Sequence, residues 1–168
     1  MSLEAEAYFH AKLIEHTEEY ESALDQHGDN PLRCVSVFLP EYPHALDGLS
    51  IPAEGGGALI FEVDPTDKRD DDYCSISYLG YDTLRTRILS LVAPDGDYGP
   101  ADPFWDMLHM SDCDGMFSTE ACARIADDFE TWYDEMEAAY PPAAVRKYAA
   151  WGHLFARAAA NEGIVVYG

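Results

Sequence analysis

Apolar residues Leu3, Phe9, Leu13, Thr17, Tyr20 and Leu24 recur at steps compatible with one face of a helix, opposite Glu15, Glu18, Glu19 and Glu21. The pattern predicts a helix over about 3–26, carrying His10 and His16 and stopped by Gly28, Asn30 and Pro31. Cys34–Leu39 reads as a short strand ended by Pro40 and Pro43. A loop through Gly55-Gly56-Gly57 then leads to a second strand at Ala58–Val63. The charged run 64–72 predicts a hairpin tip, and Cys74–Tyr78 alternates in the period of a half-buried strand.

Asp82 is a candidate cap for a helix carrying Leu84, Ile88, Leu91 and Val92 and closed by Pro94. The Pro- and Gly-rich stretch 94–103 predicts a loop, followed by a short helical turn at Phe104–Met110 and a sharp turn at 111–115. From Ser118 or Thr119 to 137, Cys122, Ile125, Phe129, Trp132 and Met136 form one stripe, the clearest helix in the chain. After Pro141-Pro142 a last helix, about 143–161, reads as apolar nearly all round, and Ile164–Tyr167 as a closing strand. The order α-β-β-β-α-α-β predicts a single α+β domain over 1–168, with a largely antiparallel sheet of about four strands and four main helices on it. Residues 1–27 are the candidate for an extra helical arm.

Charge changes this picture more than any motif. Against 32 Asp and Glu stand 10 Lys and Arg, a net charge of −22, with 48% apolar residues. The apolar share supports a core rather than a disordered acidic tail. The charge repels phosphates and anionic lipid, so nucleic acid and membrane surfaces are not expected partners. The excess is −14 over residues 1–84 and −8 over residues 85–168. Arg85, Arg87, Arg146, Lys147 and Arg157 are expected to pair internally with carboxylates; an anion pocket at Arg85 is the alternative.

Cys34, Cys74, Cys113 and Cys122 form no CxxC pair, and their spacing matches no zinc ribbon or disulfide-dense framework. The first residues carry acids where a secretory signal needs a basic stretch, and no apolar run nears the ~20 residues of a membrane helix. The expectation is a cytoplasmic protein with reduced thiols.

The densest chemistry is His109-Met110-Ser111-Asp112-Cys113-Asp114-Gly115. Placed on an EF-hand, Gly115, Asp112 and Asp114 fit, but the first and twelfth positions fall on Met110 and Ala121. His109, Asp112 and Asp114 are therefore weak metal candidates. The competing reading is a tight turn with Gly115 at positive φ and Cys113 in the core. Gly55-Gly56-Gly57 lacks the Lys and Ser/Thr of a phosphate loop. No motif implies a catalytic residue or a cofactor.

Two stretches, SYLGYDTLRTRIL (77–89) and PFWDMLHMSDCDGMFSTEACARIADDF (103–129), resemble segments of a family of small uncharacterised bacterial and phage proteins. Tyr148, Trp151, Phe155, Ala158 and Gly163 fit the same pattern. A similar His-Ser-Asp-Cys-Asp-Gly segment occurs in one of the immunity-protein families that neutralise polymorphic toxins, although here Met110 separates His109 from Ser111. The matching positions are Tyr81, Arg85, Ser111, Asp112, Cys113, Asp114 and Gly115. The resemblance implies an α+β fold and, for the immunity branch, an inhibitor without catalytic residues.

Together these readings lead to an acidic, non-enzymatic binder of a basic protein partner such as a toxin or nuclease. Its expected contact faces are Glu15, Glu18, Glu19 and Glu21 on the first helix, and Asp127, Asp128, Glu130 and Asp134 on the 119–137 helix. The alternatives are a phage anti-defence mimic of nucleic acid, and a metal-dependent enzyme around His109, Asp112 and Asp114.

Overall fold

The computed structural model describes residues 2–14, 21–22, 25, 32–37, 44–49, 57–64, 72–110 and 115–168, with 32–37, 57 and 58 described through their backbone. It has the predicted α+β class. The strands are β1 (Ser2–Leu13), β2 (Leu32–Val37), β3 (Gly57–Asp64), β4 (Tyr73–Ser77), β5 (Gly115–Phe117) and β6 (Ile164–Tyr167). The helices among the described residues are α1 (Tyr78–Val92), α2 (Trp105–His109), α3 (Thr119–Thr131), α4 (Tyr133–Ala139) and α5 (Pro142–Ala160), apart from a helical backbone at residues 21, 22 and 25.

Over residues 2–13 the predicted first helix is overturned by β1; residues 21, 22 and 25 are helical, and the others of 15–26 lie outside the described residues. Leu3, Ala5 and Ala7 are buried while Ser2 and Glu4 are exposed, the two-residue alternation of a strand with one buried face. β1 is the centre of the sheet. Its first half pairs antiparallel with β4 on one edge (Ala5 opposite Cys74) and with β6 on the other (Ala5 opposite Tyr167). His10 then takes φ 49°, the register shifts between Phe9 and Lys12, and β1 continues along β3 with Leu13 opposite Phe61. Such a bulge bends the strand.

β2 extends the sheet beyond β3, β5 extends it beyond β6, and every pairing is antiparallel. The expected hairpin between β3 and β4 does not form. Both pair with β1, lying end to end along one of its edges, and the connection 65–71 lies outside the described residues.

Ser77, not Asp82, caps α1: its hydroxyl accepts the Gly80 N–H at 3.1 Å, so the helix begins five residues earlier than its acid suggested. The predicted 119–137 helix is two helices jointed at Trp132, capped by Ser118, which accepts the Ala121 N–H. α5 starts on Pro142, a residue suited to a first helical turn, and is one-sided rather than apolar all round. Val145, Tyr148, Trp151, Leu154, Phe155 and Ala158 are buried, whereas Arg146, Lys147, Ala149, Ala150 and Ala156 are exposed.

One aromatic seam joins the helices to the sheet. Trp151 stacks on Tyr81 at 5.2 Å and meets Tyr167 edge-on at 5.5 Å, and Tyr167 continues to Phe117 and then Phe155. Each such pair adds about 0.5–1.5 kcal/mol beyond simple burial. α3 lies against α5 at Gly152, where a Cβ would stand 2.9 Å from the Phe129 Cβ.

Candidate functional site

Tyr81 and Arg85 hold the end of α2. The buried Tyr81 donates its hydroxyl proton to the Met107 carbonyl at 3.0 Å and lies 3.3 Å from the Tyr167 hydroxyl. One turn on, Arg85 donates to the Met110 carbonyl at 3.2 Å, lies over the Tyr81 ring and pairs with Asp82 at 3.7 Å. Two side chains of α1 thus satisfy carbonyls at the end of α2, which a helix C-terminus leaves without intrahelical partners. Gly115 begins β5 tight against Met110: a Cβ there would stand 2.3 Å from the Met110 sulfur. The motif positions Tyr81, Arg85 and Gly115 therefore fix the entry to and exit from the 111–114 segment. Ser111, Asp112, Cys113 and Asp114 themselves lie outside the described residues.

His109 is exposed, stacked on Trp105 at 3.9 Å, with its Nδ1 donating to the Trp105 carbonyl at 2.8 Å. Among the described residues no three His, Cys, Asp or Glu side chains converge as a metal site. Burial pushes the Cys74 thiol up to about 11 and the Cys122 thiol well above the ordinary range, so neither is a thiolate at neutral pH.

The two predicted acidic faces fare differently. Glu15, Glu18 and Glu19 lie outside the described residues, and Glu21 is exposed. On α3 and α4, Asp127, Glu130 and Asp134 are exposed at helical spacing. Asp128 does not belong with them: it is half-buried and accepts the Phe104 N–H at 2.8 Å, because Phe104 enters α2 in the left-handed conformation at φ 61° and needs a partner there.

Asp128 instead lines a cleft of about 420 Å³ between α2, α3, the 100–104 loop and the turn at 44–48. That turn is docked by the buried Ser118, which donates its hydroxyl to the Asp47 carbonyl at 2.6 Å and its N–H to the Ala45 carbonyl at 2.7 Å. Asp47, Asp102, Asp106, Asp127 and Asp128 face this space, and among the described residues Arg124 is its only Lys or Arg. The Arg124 guanidinium lies 2.9 Å from the Asp47 carboxylate and 4.0 Å from that of Asp106, and donates to the His44 carbonyl. Asp106 is 7% exposed, and its Oδ1 is buried with no hydrogen-bond partner. Burial pushes the carboxyls of Asp106 and Asp128 above the ordinary range, despite lowering contributions from neighbouring N–H groups and Arg124. Phe104, Trp105 and Ile125, with Pro100 and Pro103, supply the apolar wall.

The sequence reading passed over Asp47, Asp106 and Arg124. Two signals were available: Arg124 is the lone cation of the acidic 119–137 stretch, and Asp106 the lone charge within Phe104-Trp105-Asp106-Met107-Leu108. Among the described residues no helix is long and apolar enough to cross a membrane. No family model, curated protein or solved structure matches this chain.

Proposed function

We propose that this chain is an acidic, non-enzymatic binding protein of the immunity or inhibitor type, which neutralises a basic protein partner such as a toxin or nuclease. The observation that carries the reading is where the positive charge goes. Arg85 is engaged with the Met110 carbonyl and Asp82, Arg87 lies over Tyr140, Arg124 serves Asp47, and Arg157 serves the buried Asp72. Four of the cations are thus engaged within the fold, though Lys12, Arg146 and Lys147 are exposed, while Asp127, Glu130, Asp134, Glu135 and Glu137 stand exposed on successive turns of α3 and α4. A surface field of this sign steers a basic partner into contact and repels acidic competitors. The resemblance around Tyr81, Arg85 and Gly115 supports the same direction, with those residues supplying fold rather than contact.

The test is capture of the product of the neighbouring gene by the purified chain, followed by association rates between about 50 and 500 mM salt. The reading expects a basic partner whose association slows steeply with salt and whose own activity falls on binding. A partner bound with salt-independent rates, or no basic partner at all, would sink it.

A further inference from the structure

Acids outnumber cations 32 to 10 in this chain, yet one cleft reverses the balance. It opens between the first turns of α1 and α5 and holds about 290 Å³, the small end of ligand sites. Gly80, Thr83, Leu84 and Arg87, at steps of three and four, form its α1 wall, and Ala144 and Lys147 face them from α5. Among the described residues no Asp or Glu lines it. Arg85, Arg124 and Arg157 each hold an Asp. Arg87 is instead fixed over the Tyr140 ring at 5.4 Å, and among the described residues neither it nor Lys147 has a carboxylate partner. At the mouth, the Ser77 hydroxyl accepts the Gly80 N–H at 3.1 Å, which leaves its own proton for a ligand. Leu79 beside it is 79% exposed, the most exposed large apolar side chain among the described residues.

Two uncompensated cations and a free hydroxyl proton match a dianion with several acceptor oxygens. A phosphate monoester carries about −1.5 to −2 charge near neutral pH and three such oxygens. The guanidinium fork and the ammonium point charge are the two kinds of cation that bind it. We propose that this cleft binds a small phosphate monoester, with Arg87 and Lys147 as counter-charges, Ser77 as a further donor, and Leu79 against the organic part of the ester. A nucleic acid or an anionic membrane brings many phosphates against the whole negative surface. A lone phosphate in the cleft meets these two cations at contact range, while carboxylates beyond about 8 Å are screened. None of these residues belongs to the acidic faces of α3 and α4, so the site is independent of the inhibitor reading.

Calorimetric titration of the whole chain at about pH 8, above the second phosphate pKa, tests this with phenyl phosphate, inorganic phosphate and Nα-acetylphosphoserine amide. Phenyl phosphate should bind with a Kd of about 1 mM or tighter, and inorganic phosphate at least about threefold more weakly. Lys147→Gln and Arg87→Gln should each weaken phenyl phosphate about fivefold or more. Arg87→Lys, which keeps the charge and loses the fork, should restore part of that loss. Lys147 is exposed, so its variant tests the site even where loss of the Tyr140 contact unfolds Arg87→Gln. Leu79→Ser should weaken phenyl phosphate about threefold and leave inorganic phosphate within about twofold. Lys12→Gln, which removes an exposed cation from β1, should change either by less than about twofold.

The site is refuted if phenyl phosphate does not bind at about 10 mM, or if Lys12→Gln weakens it as much as Lys147→Gln. Inorganic phosphate bound as tightly as phenyl phosphate, and unmoved by Leu79→Ser, would overturn the ester and leave an adventitious ion only. Tighter binding of the capped phosphoserine would assign the cleft to a modified protein segment and overturn the free ester as well. A salt-sensitive basic partner alongside phosphates that do not bind would uphold the inhibitor reading and refute this site. Phosphate binding without such a partner would do the reverse.

Discussion

Arg157 grips Asp72 through two parallel bonds, Nε to Oδ1 at 2.9 Å and Nη2 to Oδ2 at 3.2 Å. The pair ties the last helix to the residue preceding β4, with the Asp72 side chain 2% exposed and that of Arg157 16% exposed. Arg157→Met removes the cation and leaves a buried carboxylate without it. We expect a loss of about 3–5 kcal/mol, read as a lower urea midpoint at unchanged slope. Adding Asp72→Asn to that variant should recover part of the loss. A single-variant loss below about 1 kcal/mol would show that the pair is no more than a surface contact.

The cleft carboxylates give a pH dependence of the opposite sense to an ordinary ion pair. With folded-state pKa values above their unfolded ones, Asp106 and Asp128 contribute stability that is fully present below the unfolded carboxylate pKa of about 4 and is lost as pH rises through their raised values. Asp106→Asn should therefore melt higher than the parent chain at about pH 7, with the difference shrinking toward about pH 4. Paired thermal melts across that interval provide the check. A variant less stable than its parent at neutral pH would contradict the assigned sign.

Tyr81→Phe deletes the hydroxyl that serves the Met107 carbonyl and the Tyr167 hydroxyl, both inside the core. The expected cost is about 1–2 kcal/mol, accompanied by faster amide exchange in α2. If Tyr81 were instead a contact residue, partner affinity would fall while stability stayed level.

Gly152 sets the approach of α3 to α5. A methyl group at this position meets the Phe129 Cβ, part of the stem of its side chain rather than a flexible end, so Gly152→Ala should destabilise by about 1–3 kcal/mol by overpacking. Chemical denaturation decides it. A neutral or stabilising outcome would mean that the helices separate at little cost.

Which parts of this fold were legible beforehand follows from the kind of signal each carried. β6 was read to its residue bounds because Gly163 and a β-branched run leave little alternative, and the start of α3 because its stripe is strict, although the break at Trp132 was not. β1 was misread for a physical reason. Its buried face carries Ala5 and Ala7, residues of high helix propensity, and the more conspicuous Phe9, Leu13 and Leu24 happen to fall at helical steps.

The acidic cleft was not legible as a site, since its carboxylates come from the 44–48 turn, α2, its preceding loop and α3. Only the tertiary fold brings Asp47 to Arg124. Asp128 shows the limit of helical-wheel reasoning: its neighbour Asp127 faces solvent, while Asp128 meets the Phe104 N–H.

The central position of β1 also dictates an order of assembly. This strand leaves the ribosome before its partners, which follow at 57–64, 73–77 and finally 164–167. During synthesis one edge waits for 57–77 and the other until 164–167 has emerged, and β5 must wait for β6 as well. Closure of loops this long slows folding, and bare strand edges invite pairing with other chains. Glu4 and Glu6, which alternate with the buried alanines, place like charges along the waiting strand and oppose the stacking of identical copies.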